Sequence, residues 1–165
     1  MRPISSTPPS PSAVTFEPEF VAGLKTLFEE LIVFNRTLGL QITEISPGRS
    51  RARLAMRPEL IGHHVQQRLH GGVVSATLDA MAGLAVMSAL GARHMDEPIS
   101  ARMARFGKLG TVDLRVDFLR QALGGHFIAT AEVMRLGSRV ASTRMEFFDG
   151  QGRLLSTGAA AYIVS

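Results

Sequence analysis

The feature that most constrains the fold is a long apolar segment in the middle of the chain, residues 72–90. It is too long for a strand, and its apolar positions occur nearly all round a helix, which is typical of a helix buried on every side. Small residues let other elements approach it closely: Ala76, Ala80, Ala82, Gly83 and Ala85. A single acid, Asp79, interrupts it. Because a buried carboxylate loses much hydration energy, Asp79 has to be exposed, paired or retained for chemistry.

The remaining sequence predicts one helix and six strands around this segment. Apolar residues at helical spacing predict an amphipathic helix from Pro18 to about Asn35. Strands are predicted over 38–46 and 49–57, on either side of a Pro-Gly turn. Residues 91–110 are polar and have no clear periodicity, so they are predicted to form a mobile flap or a partly helical loop. From Thr111 to Phe118 apolar and charged residues alternate, which indicates a half-buried strand. Three further strands are predicted over 126–135, 138–148 and 153–164.

Composition limits the class of protein. A chain of 165 residues with 45% hydrophobic content is expected to form one domain, here 18–165, after a Pro- and Ser-rich leader over 1–17 that is predicted to be disordered. The leader lacks the apolar stretch of a secretory signal, so a cytoplasmic location is expected. The absence of cysteine excludes disulfides and thiol nucleophiles. The net charge of +4 is scattered, which disfavours nucleic acid as a partner, and no membrane association is expected.

A long helix wrapped by an antiparallel sheet of about six strands is an α+β architecture, the hotdog fold. The stretch "LHGGVVSATLDAMAG" resembles the HGG segment of hotdog acyl-CoA thioesterases of the phenylacetyl-CoA type. "GTVDLRVDFLRQA" resembles their following strand, and "VMRLGSRVASTRMEFFDGQGRLLSTGAAAYIV" resembles their closing strands, including a final aromatic. The resemblance extends over roughly residues 34–164 and implies hydrolysis of acyl-CoA, in a subgroup close to the bacterial medium- and long-chain enzymes.

The residues before the apolar helix have a chemistry of their own. His70, Gly71 and Gly72 lie where the helix begins, and unpaired N–H groups at a helix N-terminus can stabilise a developing oxyanion. Asp79 lies about 10 Å further along the helix axis. At this distance Asp79 can act on a substrate carbonyl that lies against the side of the helix, and not at its end. Taken alone, the glycines can also serve only to shape a turn, and Asp79 can be a structural acid.

The resemblance implies more definite roles. His70 orders the loop, the Gly71 N–H polarises the thioester carbonyl, and Asp79 activates water or attacks the thioester itself. Thr111, at the head of the next strand, is implied to come from the neighbouring subunit. An asparagine that many relatives carry shortly before HGG is absent, so four residues are candidates to replace its donor: His63, His64, Gln66 and Gln67. A metal site is disfavoured, because the carboxylate partner and the ligand spacing are missing.

The resemblance also implies partners. Arginines are expected to meet the phosphates of coenzyme A, either at the strand ends (Arg120, Arg135 and Arg139) or in the connector (Arg102, Arg105 and Lys108). Gly72 is expected to contact the substrate, and no cofactor is implied. A homodimer or a tetramer made of two dimers is expected, with the sites between subunits. Two alternatives stay open: a hotdog dehydratase of 3-hydroxyacyl thioesters and a non-catalytic acyl-CoA sensor.

Overall fold

The computed structural model describes residues 14–165 as a sheet packed on a central helix. The six strands of the sheet are β1 (Leu40–Ser46), β2 (Arg49–Ala55), β5 (Gly110–Phe118), β6 (His126–Leu136), β7 (Val140–Asp149) and β8 (Leu154–Ile163). They are antiparallel and lie in the order β1-β2-β6-β7-β8-β5. Two short strands, β3 (Ile61–His63) and β4 (Arg68–Leu69), form a separate hairpin. The predicted α+β architecture is confirmed, as is the predicted succession of the six strands in the main sheet, whereas the hairpin of β3 and β4 was not predicted.

The central helix is α3 (Gly71–Arg93), and it forms the core of the protein. Every residue from 81 to 88 is buried, because the sheet covers one side and the N-terminal helices cover another. The helix is long and apolar enough to cross a membrane, yet 72% of its most apolar window lies inside the fold, as in the core helix of a globular domain. The predicted cytoplasmic location stays a prediction.

Side chains of the sheet alternate between the helix and solvent, as period-two patterns predict. Along β7, four residues are buried against α3 while their neighbours face outward: Ala141, Thr143, Met145 and Phe147. The helix is also tied to the sheet by hydrogen bonds. The Ser50 hydroxyl donates to the Met81 carbonyl at 2.7 Å, and the Ser88 hydroxyl lies 2.8 Å from the Ser46 carbonyl. These contacts fix the rotation of α3 and therefore the direction in which Asp79 points.

Strand β5 differs from its expected half-buried state. Among residues 14–165 it is the outermost strand on its side of the sheet and is paired with β8 alone. Val112 is 64% exposed and Phe118 is 56% exposed, although both belong to the apolar side of the alternation. Alternation predicts a strand with one apolar face, but the position of the strand within the sheet decides what covers that face. Here the ends of the apolar face are open.

The N-terminal helix is interrupted, which corrects the single helix predicted over 18–35. It consists of α1 (Pro18–Thr26), a wide turn over Leu27–Leu31 in which the Ile32 N–H donates to the Leu27 carbonyl at 3.0 Å, and α2 (Val33–Leu38). The Glu29 carboxylate in this turn accepts a hydrogen bond from the Ile42 N–H of β1. Such wide turns redirect the residues that follow. This one brings Phe28 and α2 to the flank of α3.

The folded region begins before the expected boundary at residue 18. Of the predicted leader, residues 1–13 lie outside the described residues, whereas Phe16 is buried and the Glu17 carboxylate pairs with Arg102 at 2.5 Å. Arg102 belongs to α4 (Ile99–Ala104), and a helical turn over Arg105–Lys108 follows. The partly helical form of the connector is therefore confirmed. Arg102 is 1% exposed, so it is a buried anchor for the N-terminus. Its burial disfavours the expected contact with coenzyme A, which stays a prediction.

Candidate active site

The Asp79 carboxylate is held on one side by two hydroxyl groups. Thr111 Oγ1 donates to Asp79 Oδ1 at 3.0 Å, and the Tyr162 hydroxyl lies 2.6 Å from the same oxygen. Among residues 14–165, Asp79 has no ion-pair partner, and its second oxygen, Oδ2, accepts no hydrogen bond. The carboxylate is thus oriented by hydrogen bonds to one oxygen, while the other is left to react.

Two neighbouring strands bring these hydroxyls together. Thr111 on β5 and Tyr162 on β8 are directly opposite in the sheet, and the first half of α3 lies against both strands. Tyr162 is 2% exposed. Burial, followed by the hydrogen bond to Asp79 and its negative charge, raises the pKa of the Tyr162 hydroxyl well above its ordinary value. The hydroxyl therefore keeps its proton and serves as a donor at every physiological pH.

The hydrogen bond from Thr111 lies within one chain. Thr111 contacts the Asp79 of its own chain, and its implied contribution to the site of a neighbouring subunit stays a prediction. The pairing of β5 with β8 places the head of β5 beside the flank of α3 in the same molecule. Spacing along the chain carries no information about this pairing.

A cavity of about 280 Å³ opens in front of Asp79. Most of its wall is apolar, and its polar members are Asp79, Thr111, Tyr162 and Asn35. The Asn35 residue on α2 is only 4% exposed, and its side chain makes no hydrogen bond within residues 14–165. Neither Tyr162 nor Asn35 was among the predicted site residues. The final aromatic of the closing strands was a signal for Tyr162, whereas nothing in the sequence near Asn35 pointed to the cavity.

The HGG residues form the capped N-terminus of α3. His70 is the N-cap, and its Nδ1 accepts a hydrogen bond from the Gly72 N–H at 2.9 Å. Gly62 packs so closely against His70 that a Cβ at residue 62 would lie 2.6 Å from the His70 Cα, so no larger residue fits there. The Gly71 N–H donates to no acceptor within the described part of the chain. The N–H of Gly72 is therefore engaged in the cap, and the N–H of Gly71 is the free donor. The expected contact between Gly72 and the substrate stays a prediction.

Gly71 lies in a different cleft from Asp79. This cleft, of about 480 Å³, is also lined by Phe118, Arg68 and Arg120, and the ring of Phe118 lies 3.4 Å from where a Cβ on residue 71 would stand. Arg120 is held there by a hydrogen bond from Nη1 to the Leu154 carbonyl at 2.9 Å. Asp79 does not line this cleft, and Gly71 does not line the cavity at Asp79. Within one chain the oxyanion donor and the acid are thus separate.

The other predicted residues lie apart from both spaces. His63 is the last residue of β3, and His64, Gln66 and Gln67 belong to the loop between β3 and β4. His63 Nδ1 accepts from the Gln66 N–H at 3.2 Å, and the Gln67 amide donates to the His64 carbonyl at 2.6 Å. Arg135 and Arg139 are exposed near the turn between β6 and β7, at the opposite end of the sheet from Arg120. Their roles towards the substrate stay predictions.

The segment that carries the candidate site matches a known protein family. Residues 66–156, which contain both the HGG turn and Asp79, match the model of the thioesterase superfamily. The chain belongs to the thioesterase superfamily. It is 34% identical over 131 residues to the medium/long-chain acyl-CoA thioesterase YigI of Salmonella typhimurium, which covers 79% of this chain and 84% of that protein. YigI of Escherichia coli is 33% identical over the same length.

Solved structures of the thioesterase superfamily have the same fold. A Shewanella oneidensis protein related to this superfamily superposes with a TM-score of 0.83 at 36% identity, covering 91% of this chain and 100% of that one. The Escherichia coli PaaI protein of the phenylacetic acid degradation operon superposes with a TM-score of 0.72 at 17% identity, covering 92% and 96%. The second likeness concerns the fold alone. The resemblance found in the HGG segment is therefore confirmed at the level of the superfamily.

Proposed function

We propose that this protein hydrolyses medium- to long-chain acyl-CoA thioesters to a free carboxylic acid and coenzyme A. The observation that carries the proposal is the Asp79 carboxylate, fixed by two hydroxyls at Oδ1 and free at Oδ2, on the wall of an apolar cavity. The proposal is supported by the similarity to YigI, which is named as a medium/long-chain acyl-CoA thioesterase. An ionised carboxylate beside an apolar cavity can act as a general base that activates water for attack on a thioester with an apolar acyl chain.

In the proposed reaction Asp79 is the general base. Its Oδ2 takes a proton from water while the water oxygen bonds to the thioester carbonyl carbon. The negative charge that develops on the carbonyl oxygen is stabilised by the Gly71 N–H at the positive end of α3. When the tetrahedral intermediate collapses, the carbon–sulfur bond breaks, and Asp79 returns its proton to the departing coenzyme A sulfur. The acid is then ready for the next water.

Because Gly71 and Asp79 lie in separate spaces of one chain, we propose that two copies complete each site. In the part of the chain that the structure describes, the outer edge of β5 is unpaired. Thr111 at one end donates to Asp79, and Phe118 at the other end lines the cleft beside Gly71. Antiparallel pairing of two β5 strands about Leu114, their midpoint, would bring Thr111 of one copy opposite Asp117 of the other and next to its Phe118. The exposed apolar residues Val112 and Phe118 favour such an interface. A homodimer, alone or within a tetramer, is therefore the proposed unit.

Arginines around the Gly71 cleft support a coenzyme A thioester as the substrate. Arg68 and Arg120 both line this cleft, which is the larger of the two spaces. Their guanidinium groups can pair with phosphate oxygens, whereas the cavity at Asp79 offers no cation among its lining residues. We therefore propose that coenzyme A occupies the Gly71 cleft and that the acyl group enters the apolar cavity of the second copy.

The function is tested by the release of free thiol from a panel of acyl-CoA thioesters. Hydration of crotonyl-CoA, measured at the same enzyme and substrate concentrations, tests the dehydratase alternative. We expect thiol release without hydration. Hydration without thiol release would contradict the proposal, and binding of acyl-CoA without either reaction would indicate a sensor.

The composite site predicts a complementation experiment. Asp79→Asn and Gly71→Pro are each expected to be inactive, but unfolding and refolding them together forms mixed dimers in which one of the two sites has both groups intact. Random association should restore about a quarter of the wild-type rate, because half of the dimers are mixed and each has one working site. Each variant refolded alone is the control. Recovery no greater than the sum of the controls would show that each chain carries its own site.

Tyr162→Phe is expected to lower kcat by about 10-fold or more, since a hydrogen bond to a charged group contributes roughly 1.5–3 kcal/mol. Thr111 alone then orients the carboxylate, so kcat should fall while KM changes little. Steady-state kinetics with one acyl-CoA thioester separate the two constants. Thr111→Ser, which keeps its donor, should retain the wild-type kcat. An unchanged kcat in Tyr162→Phe would reduce Tyr162 to a packing role.

A further inference from the structure

The cavity at Asp79 has an end wall one helical turn beyond the acid. Gly83 follows Asp79 by four residues on the same face of α3, about 6 Å along the axis. Beyond it stand Phe28, from the wide turn after α1, and Phe106, from the helical turn after α4. The two rings meet edge to face with centroids 5.7 Å apart. Because Phe28 is 2% exposed and packed into the core, this wall has little freedom to move.

The end of the cavity beyond Asp79 favours apolar acyl groups. Its lining there is formed by Ala80, Gly83 and Leu109 with the two phenylalanines, and no basic residue is among the described lining residues. A hydrocarbon chain gains about 0.8 kcal/mol for each methylene that it buries. The cavity volume of about 280 Å³ is slightly below the roughly 300–1,000 Å³ of pockets that enclose drug-sized ligands, which suits a medium chain better than a long one.

We infer that Gly83, Phe28 and Phe106 set the upper limit of acyl length, so that the preferred substrates are medium-chain acyl-CoA thioesters. This inference rests on the proposed function, and it assigns the binding site of the acyl chain to the cavity beside Asp79 and Gly83 on α3. The absence of a side chain at residue 83 gives the subsite its depth. Methylenes up to the wall gain binding free energy, and each further methylene has to displace a packed aromatic ring.

Gly83→Ala tests the depth of the subsite with little disturbance of the fold. A Cβ at residue 83 would lie 3.7 Å from both Leu109 Cδ2 and Phe28 Cε1, which is ordinary van der Waals contact. The methyl group fills the end of the cavity, so the preferred chain should shorten by one or two methylenes, with kcat/KM falling about fourfold for each methylene that no longer fits. Alanine also favours a helix over glycine, and Tm should rise by about 2–4 °C.

Phe106→Ala tests the same wall in the opposite direction. Removing the half-buried ring opens the end of the cavity, so the preferred chain should lengthen while short chains lose little. Gly107→Ala is the matched control, because a Cβ at residue 107 has no atom within 4 Å and should leave the chain-length profile unchanged.

The measurement is kcat/KM for saturated acyl-CoA thioesters of increasing length in the wild type and the three variants. Opposite shifts in Gly83→Ala and Phe106→Ala support the inference. Profiles that superpose on that of a wild-type enzyme active in thiol release would overturn it and leave the proposed function intact. No thiol release by the wild type with any chain would instead reject the proposed function.

Discussion

Asp79→Asn is expected to reduce kcat/KM for thiol release by a factor of about 100 or more while the protein stays folded. The amide keeps the shape of the side chain and still offers an oxygen to the hydroxyls of Thr111 and Tyr162, which lie 3.0 and 2.6 Å from Oδ1. It takes no proton from water, so the general base is lost. The rate should fall without an upward change in KM, because the acid acts in the transition state more than in binding.

Asp96→Asn is the matched control for this variant. Asp96 is exposed in the connector and lies outside both the Gly71 cleft and the Asp79 cavity. Its substitution removes the same charge and should leave the rate unchanged. Thermal unfolding followed by circular dichroism establishes that both variants are folded. Wild-type activity in a folded Asp79→Asn protein would exclude the carboxylate from the mechanism.

Gly71→Pro is expected to reduce the same rate by about 100- to 1000-fold, since that is the usual cost of removing one oxyanion donor. Proline removes the N–H without breaking the helix, because it is tolerated at the first helical position and residue 71 is the first residue of α3. The residue before a proline has to be extended, and His70 has φ −67° and ψ 136°. The substitution therefore changes the donor more than the backbone.

Gly71→Ala separates the loss of the donor from the added bulk. It keeps the N–H but introduces a Cβ 3.4 Å from the Phe118 ring, a close contact that the ring can relieve by a small shift because it is 56% exposed. Its loss of activity should be much smaller than that of Gly71→Pro. Similar losses in the two variants would mean that space at residue 71, and not its N–H, is what catalysis requires.

The outlines of the fold were predictable because they depend on local patterns. An apolar surface all round residues 72–90 requires burial, and strict alternation along β7 requires one covered face. The position of β5 at an edge of the sheet was not predictable, since alternation is the same for a covered strand and an uncovered one. The break in the N-terminal helix was also missed, because it depends on the hydrogen bond between Glu29 and the Ile42 N–H of β1, which is distant in sequence.

Some residues of the candidate site were also predictable from the sequence, and others were not. His70, Gly71 and Asp79 lie within ten residues of one another, so the helix that carries them determines their spacing. Tyr162 comes to Asp79 from 83 residues away through the pairing of β8 with β5. Asn35 reaches the cavity through the wide turn and α2. Contacts of this kind arise when strands and helices pack, and no periodicity along the chain encodes them.

The amino-acid sequence by itself determined a buried central helix, a covering sheet, and an acid two turns beyond a helix start formed by His70, Gly71 and Gly72. Helical and strand periodicities and the preferences of a helix N-terminus are local, so they can be derived residue by residue. Only the tertiary structure decided that Thr111 and Tyr162 hold one oxygen of Asp79 and that Gly71 opens into a different cleft. Strand order and helix rotation determine those relations, and both result from packing the whole chain at once.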